Sequence, residues 1–277
     1  MLSIIGAGNE TFLYVNGLAC NKEIQLNPSV TLLPSTSSFN FEVASKLVRS
    51  DIDFSIIVLS SESISSSLRI EASDAQELAV FSWNAQWDCI LLGAIFNCEV
   101  MCNLQSDRNI DELDEATYIN VTNYGFHGLL KPVYTLSGED EKWIEKYYAN
   151  ASNLMENEKY STAVHALASY RWHSMPRVQL AILWSGIESL FNISTEVSFR
   201  VSLYIALFLA DNDNTVAKEI FNETKKLYNK RSSAVHGNKM KENIEDAVFD
   251  SASLLNRIVR HCAEVGYLPD VDNLLFN

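Results

Sequence analysis

The sequence predicts an α+β protein. A mixed α/β first domain is expected over residues 1–135, an all-α helical bundle over 139–265 and an irregular tail over 266–277. Three observations lead there. The first half alternates short β-branched and aromatic runs with turn residues, the signature of strands. From Glu139 onward apolar residues recur every three or four positions with few interruptions, the signature of packed helices. Between the two, Lys131-Pro132 and Ser137-Gly138 punctuate the chain.

In the first half, Thr11–Val15 reads as a strand ending at the hairpin-type dipeptide Asn16-Gly17, with 22–26 as the return strand. Val30–Leu33 is a second apolar run that stops at Pro34. Residues 41–48 have helical spacing. The run Ile56–Leu59 suggests a short buried strand, the serine-rich 60–67 a loop, and 67–71 another strand. Ser73 and Asp74 open a long helix reaching about Phe96, with Leu78, Phe81, Ala85, Ile90, Leu91 and Phe96 as its buried side. Residues 100–104 and 119–122 are expected to pair at a sheet edge, with the acidic 111–115 between them on a loop or short helix. Gly6-Ala7-Gly8 lacks the strand and the Lys-Ser/Thr pair of a phosphate loop, and His127 sits in a turn-like Tyr-Gly-Phe-His-Gly stretch. This half reads as an accessory or sensor domain.

In the second half, 139–154 opens with acidic residues where a helix dipole favours them. Residues 159–173 place Ala163, Ala166, Leu167 and Tyr170 on one face. Pro176 starts the most apolar helix, 177–191, which belongs at the centre of a bundle. Residues 198–209, 215–236 and 242–262 complete six helices.

The totals bound the function. A chain of 277 residues with 47% apolar and 20% charged residues forms a core. Five cysteines without framework spacing suggest reduced thiols and a cytoplasmic setting. Cys98 and Cys102 have no second ligand pair, so no metal site and no cofactor are expected. Apolar runs such as 89–96 fall short of the roughly 20 residues of a membrane span. A net charge of −14 argues against broad nucleic-acid binding. The charge is uneven, however. Residues 1–138 hold 6 Lys+Arg against 16 Asp+Glu, and 139–277 hold 15 against 19. Between Lys225 and Lys241 there are six cations (Lys225, Lys226, Lys230, Arg231, Lys239, Lys241) and no carboxylate.

That island contains Arg231 and His236, five positions apart at the end of a helical segment, with Gly237 following. Five positions turn through about 500°, which returns the two side chains to roughly the same side. A guanidinium holds phosphate oxygens, and a histidine moves protons near neutral pH. Together they suit metal-free attack on a phosphodiester; on spacing alone they also suit a helix cap and a surface charge. Glu188, four positions after Trp184 on the central helix, needs a partner if buried.

The segment Leu227-Tyr-Asn-Lys-Arg-Ser-Ser-Ala-Val-His-Gly237, with Ala181-Ile-Leu-Trp-Ser-Gly-Ile-Glu-Ser-Leu190 on an earlier helix, resembles the HEPN superfamily, and within it the ApeA-type branch. The resemblance covers residues 140–265 and rests on the Arg-x4–6-His signature of Arg231 and His236. It implies a metal-independent endoribonuclease, active as a homodimer with a composite site, that uses the RNA 2′-hydroxyl to attack the adjacent phosphate. It implies a place in anti-phage defence or a toxin–antitoxin system, with an antitoxin or a phage-derived trigger as partner. A HEPN-fold module that only dimerises or recruits partners is the alternative. Under the resemblance His236 is general base or acid and Arg231 stabilises the transition state. Glu188 either holds Arg231 or is a satisfied bundle glutamate. Tyr228 either lines the cleft or packs in the core. Asn229 and Ser232 are candidate phosphate contacts, and Lys226, Lys230 and Lys239 candidate RNA-backbone contacts.

Overall fold

The computed structural model describes residues 8–35, 41–48, 50–61, 63–125, 132–191, 193, 197–235 and 243–276. Its architecture is α+β: an antiparallel sheet with helices, then a helical region. The chain divides into two compact units, residues 1–93 with 98–149, and residues 94–97 with 150–277.

The first unit is built on β1 (Glu10–Asn16), with β2 (Leu18–Ala19), β3 (Ile24–Asn27), β4 (Val30–Pro34), β5 (Ile64–Glu71), β6 (Met101–Ser106) and β7 (Ile119–Val121). Six of these form one antiparallel sheet in the order β3-β4-β5-β1-β6-β7. β2 pairs in parallel with β8 (Tyr134–Thr135). Every residue of β1 after Glu10 is buried, so the strand is central and covered on both faces. On one face Phe12, Tyr14, Leu33 and Leu104 meet α1 (Phe41–Leu47) and α2 (Asp51–Ser61) through Ala44, Ile56 and Ile57. On the other, Leu13, Val15, Leu32, Leu68 and Ile70 alternate with the first set and are equally buried. Cys102, opposite Val15 in the register, there meets Cys89 of α3 (Ala75–Ile95). α4 (Gly138–Leu154) begins in this unit: Glu141 ion-pairs with Lys22 at 3.0 Å, and the Tyr148 hydroxyl donates to Asp88 Oδ1 on α3 at 2.6 Å.

Several expectations for this half are corrected. Residues 56–59 are helical, not a strand. The Ser50 hydroxyl accepts from the Asp53 amide, and Asp51 and Asp53 lie in the first turn, so the start of α2 is capped and charge-matched. The serine-rich stretch is not a loop throughout, because β5 begins at Ile64. The hydroxyls of Ser65 and Ser66 both donate to the Leu18 carbonyl, which satisfies them inside a strand. The expected hairpin does not form. β1 pairs with β5 and β6, and β3 pairs with β4, because a strand buried on both faces takes the centre while the alternating β3 takes the edge. Phe81 and Ile90 are half-buried rather than core. The expected edge pair exists as β6 and β7.

α3 is long and apolar enough to cross a membrane by length and composition, and more than half of its most apolar stretch is buried within the protein.

The second unit contains α5 (Glu158–Ser169), a 3₁₀ turn over Tyr170–Trp172, α6 (Pro176–Phe191), α7 (Val197–Leu209), α8 (Asn214–Val235), α9 (Ile244–Val265) and α10 (Val271–Phe276). α6 contacts α5, α8 and α9, and buries Leu180, Leu183, Trp184, Ile187 and Leu190. Gly186 lets α5 approach: a Cβ there would lie 2.7 Å from Ala166 Cβ and 3.3 Å from the Ala163 Cα. α9 is capped at both ends. Asn243 accepts from the Glu245 amide, and Gly266 takes the left-handed conformation at φ 79°. The tail is not irregular throughout. Asp270 accepts from the Asp272 amide, which caps α10.

Candidate functional site

The site is built where α6 and α8 face each other. α8 turns Thr224, Leu227, Tyr228, Arg231 and Ala234 inward, the i, i+3, i+4 pattern of a packed helix. α6 presents Trp184 and Glu188 one turn apart. Arg231 Nη2 lies 3.3 Å from Glu188 Oε1, and both side chains remain partly open, 20% and 27% exposed. The contact is an ion pair by proximity and not an aligned hydrogen bond: neither Glu188 Oε1 nor Arg231 Nε, both buried atoms, has a hydrogen-bond partner.

The rings of Tyr228 and Trp184 floor this pair. The Arg231 guanidinium carbon is 5.6 Å from the Tyr228 ring centre. Tyr228 meets Trp184 edge to face at 5.2 Å. Trp184, fully buried, donates its indole N–H to Ser251 Oγ on α9 at 3.0 Å, and Ser251 donates on to the Ala247 carbonyl. Tyr228 is therefore half-buried and packed on Trp184, with Arg231 over its ring. Arg177, at the start of α6, donates from Nη1 to the Ala234 carbonyl at 2.8 Å. A carbonyl in the last turn of a helix has no intrahelical donor, so this bond closes the described end of α8.

The electrostatics follow the burial. Desolvation raises the Glu188 carboxyl above its ordinary range, against the pull of Arg231. Burial also raises the Tyr228 phenol, Arg231 lowers it and Glu188 raises it further. The cluster is thus one cation, one carboxylate and one phenol sharing a half-open cleft.

Of the residues singled out from sequence, the structure brings Arg231, Glu188 and Tyr228 together. His236 and Lys239 lie outside the described residues, as do Gly237 and His127. Asn229 is exposed and sits about 200° around the helix from Arg231, away from Glu188. Ser232 and Lys230 are half-buried on the two flanks of the inward face, and Lys226 is exposed one turn before Lys230. Sequence reasoning missed Arg177 and Ser251. Neither carries a local signal, because each acts on another helix.

Among the described residues no group of three or more His, Cys, Asp or Glu could hold a metal ion. A cavity of about 460 Å³ in the same unit is lined by Lys159, Phe191, Arg200, Tyr204 and Asp270 among others, and by none of the predicted site residues.

No family model, curated protein or solved structure matches this chain.

Proposed function

We propose that the chain is a metal-independent endoribonuclease of the HEPN type, working as a homodimer in the cytoplasm. The observation that carries this reading is the state of Arg231: a part-exposed guanidinium, braced by Glu188 and the Tyr228 ring, with its Nε unmet. The part of the guanidinium left open can take a phosphate's oxygens. In the reaction His236 takes the proton of the 2′-hydroxyl, and the freed oxygen attacks the adjacent phosphorus. A cyclic phosphate forms. The 5′-oxygen leaves with a proton given by the partner subunit's His236. Arg231 stabilises the charge that builds on the phosphoryl oxygens. Glu188 positions Arg231, while Lys226, Lys230 and Lys239 meet the RNA backbone. The first unit senses a trigger, and anti-phage defence or a toxin–antitoxin pair is the setting.

The same ion pair favours a second reading. A guanidinium only 20% exposed and already paired suits a HEPN-fold module that dimerises or recruits partners without catalysis. Incubating the protein with total RNA in EDTA, beside Arg231→Ala and His236→Ala, separates the two. Cleavage by the wild type that is lost in both variants supports the nuclease. Inert wild-type protein whose variants keep their oligomeric state supports the module.

A further inference from the structure

A second chemical group lies in the first unit, independent of the nuclease reading. Cys89 on α3 and Cys102 on β6, thirteen positions apart, face each other with their sulfurs 2.6 Å apart. We propose that Cys89 and Cys102 are an oxidisable dithiol that peroxide closes to a disulfide tying α3 to the sheet.

Geometry gives the two sulfurs different roles. Cys89 is buried, whereas Cys102 is half-buried and the more accessible of the two. An oxidant arriving from solvent meets Cys102 first. Its thiolate attacks hydrogen peroxide: a sulfur–oxygen bond forms, the oxygen–oxygen bond breaks and hydroxide leaves. The sulfur is now a sulfenic acid. Cys89 then gives up its proton and attacks that sulfur. The sulfur–sulfur bond forms as the sulfur–oxygen bond breaks, and water departs. In total, two thiols and one peroxide yield one disulfide and two waters. A small thiol reverses the step through a mixed disulfide.

The position matches a resolving pair. The hydrogen bond to Cys102 and burial hold the Cys89 thiol well above its ordinary range, with Asp88 adding to the effect. Cys89 therefore stays protonated and protected until its partner is oxidised. Cys98, in the turn between α3 and β6, is also close in sequence, but it is buried. It is the internal control.

The test uses the full chain. Reduced protein unfolded in N-ethylmaleimide should take up a label on each of its five cysteines. After hydrogen peroxide and quenching, the count should fall by two. Peptide mapping should then join the segment holding Cys89 to the one holding Cys102, and dithiothreitol should restore full labelling. Cys98→Ser should keep the linkage. In Cys89→Ser the sulfenic acid on Cys102 should become trappable by dimedone. Five labels persisting after peroxide, or a linkage through Cys98, would overturn the proposal. The wild-type map decides the matter even where a variant fails to fold.

Discussion

Each unit places a carboxylate with a raised pKa near a tyrosine, and the two pairs differ in burial and in counter-charge. In the first unit Asp88, 7% exposed, accepts from the Tyr148 hydroxyl, and no cation pairs with it among the described residues. Its carboxyl is pushed up to about 6, desolvation outweighing the hydrogen bond. In the second unit Glu188 stands in a half-open cleft beside Tyr228, with Arg231 supplying the counter-charge. The first arrangement joins α3 to α4 through a hydrogen bond to a desolvated carboxyl. The second holds a partly buried permanent cation between a carboxylate and an aromatic ring. What separates the two acids is the guanidinium that stands beside Glu188 and has no counterpart at Asp88 among the described residues.

The contrast breaks most visibly at Arg231. Arg231→Ala and His236→Ala should each lower RNA cleavage by about 10²–10⁴-fold, measured as initial rate in EDTA. Asp88→Asn should leave that rate alone.

A pH series sharpens the other side. Asp88 titrates at about 6 in the folded chain against 3.8 in the unfolded one. The folded state binds the proton more tightly, so this group's contribution is full below pH 3.8 and is lost as pH rises through 6. The gap corresponds to about 3 kcal/mol. Asp88→Asn keeps an acceptor for Tyr148 and removes the titration. Its stability advantage over the wild type should grow between pH 4 and 7 toward about 3 kcal/mol in urea unfolding. An advantage independent of pH would refute the assignment.

Gly186→Ala tests the scaffold under the second cluster. The added methyl meets Ala166 Cβ at 2.7 Å, a contact with no flexible end to yield. Stability should fall by about 1–3 kcal/mol, read as a lower thermal midpoint.

The smallest effect is expected at Glu188→Gln. A partly open pair contributes under about 1 kcal/mol to stability. Cleavage should fall roughly tenfold through kcat with KM little changed, since the glutamate acts by orienting Arg231. A stability loss with no rate change would return Glu188 to a bundle role.

The sequence made the second unit easier to read than the first, for a physical reason. Helices α5 to α9 announce themselves through local periodicity and start signals, such as Pro176 at the start of α6. Pairing in the sheet joins residues far apart, and nothing local in Thr11–Val15 says that 64–71 and 101–106 will flank it. The run 56–59 misled because β-branched residues favour strands on average, while the capping by Ser50 and the flanking acids decided for a helix. At the candidate site Glu188 stood out as a rare charge on an apolar helix, and Arg231 by its spacing to His236 within a basic island. Arg177, Asp88 and the Cys89–Cys102 pair did not, because each gains its meaning from a residue on another element.

The placement of β1 at the centre of the sheet also bears on how the protein is made. Among the described strands, the one buried on both faces is synthesised before its neighbours. Leu13 waits for Leu68 on one side and Gln105 on the other. At roughly 5–20 residues per second, the first neighbour arrives about 3–11 s later and the second after about 5–18 s. During that interval a continuous apolar strand has two open edges and no cover. Nascent chains halted between β5 and β6 should therefore be the ones that chaperones hold and that aggregate when released.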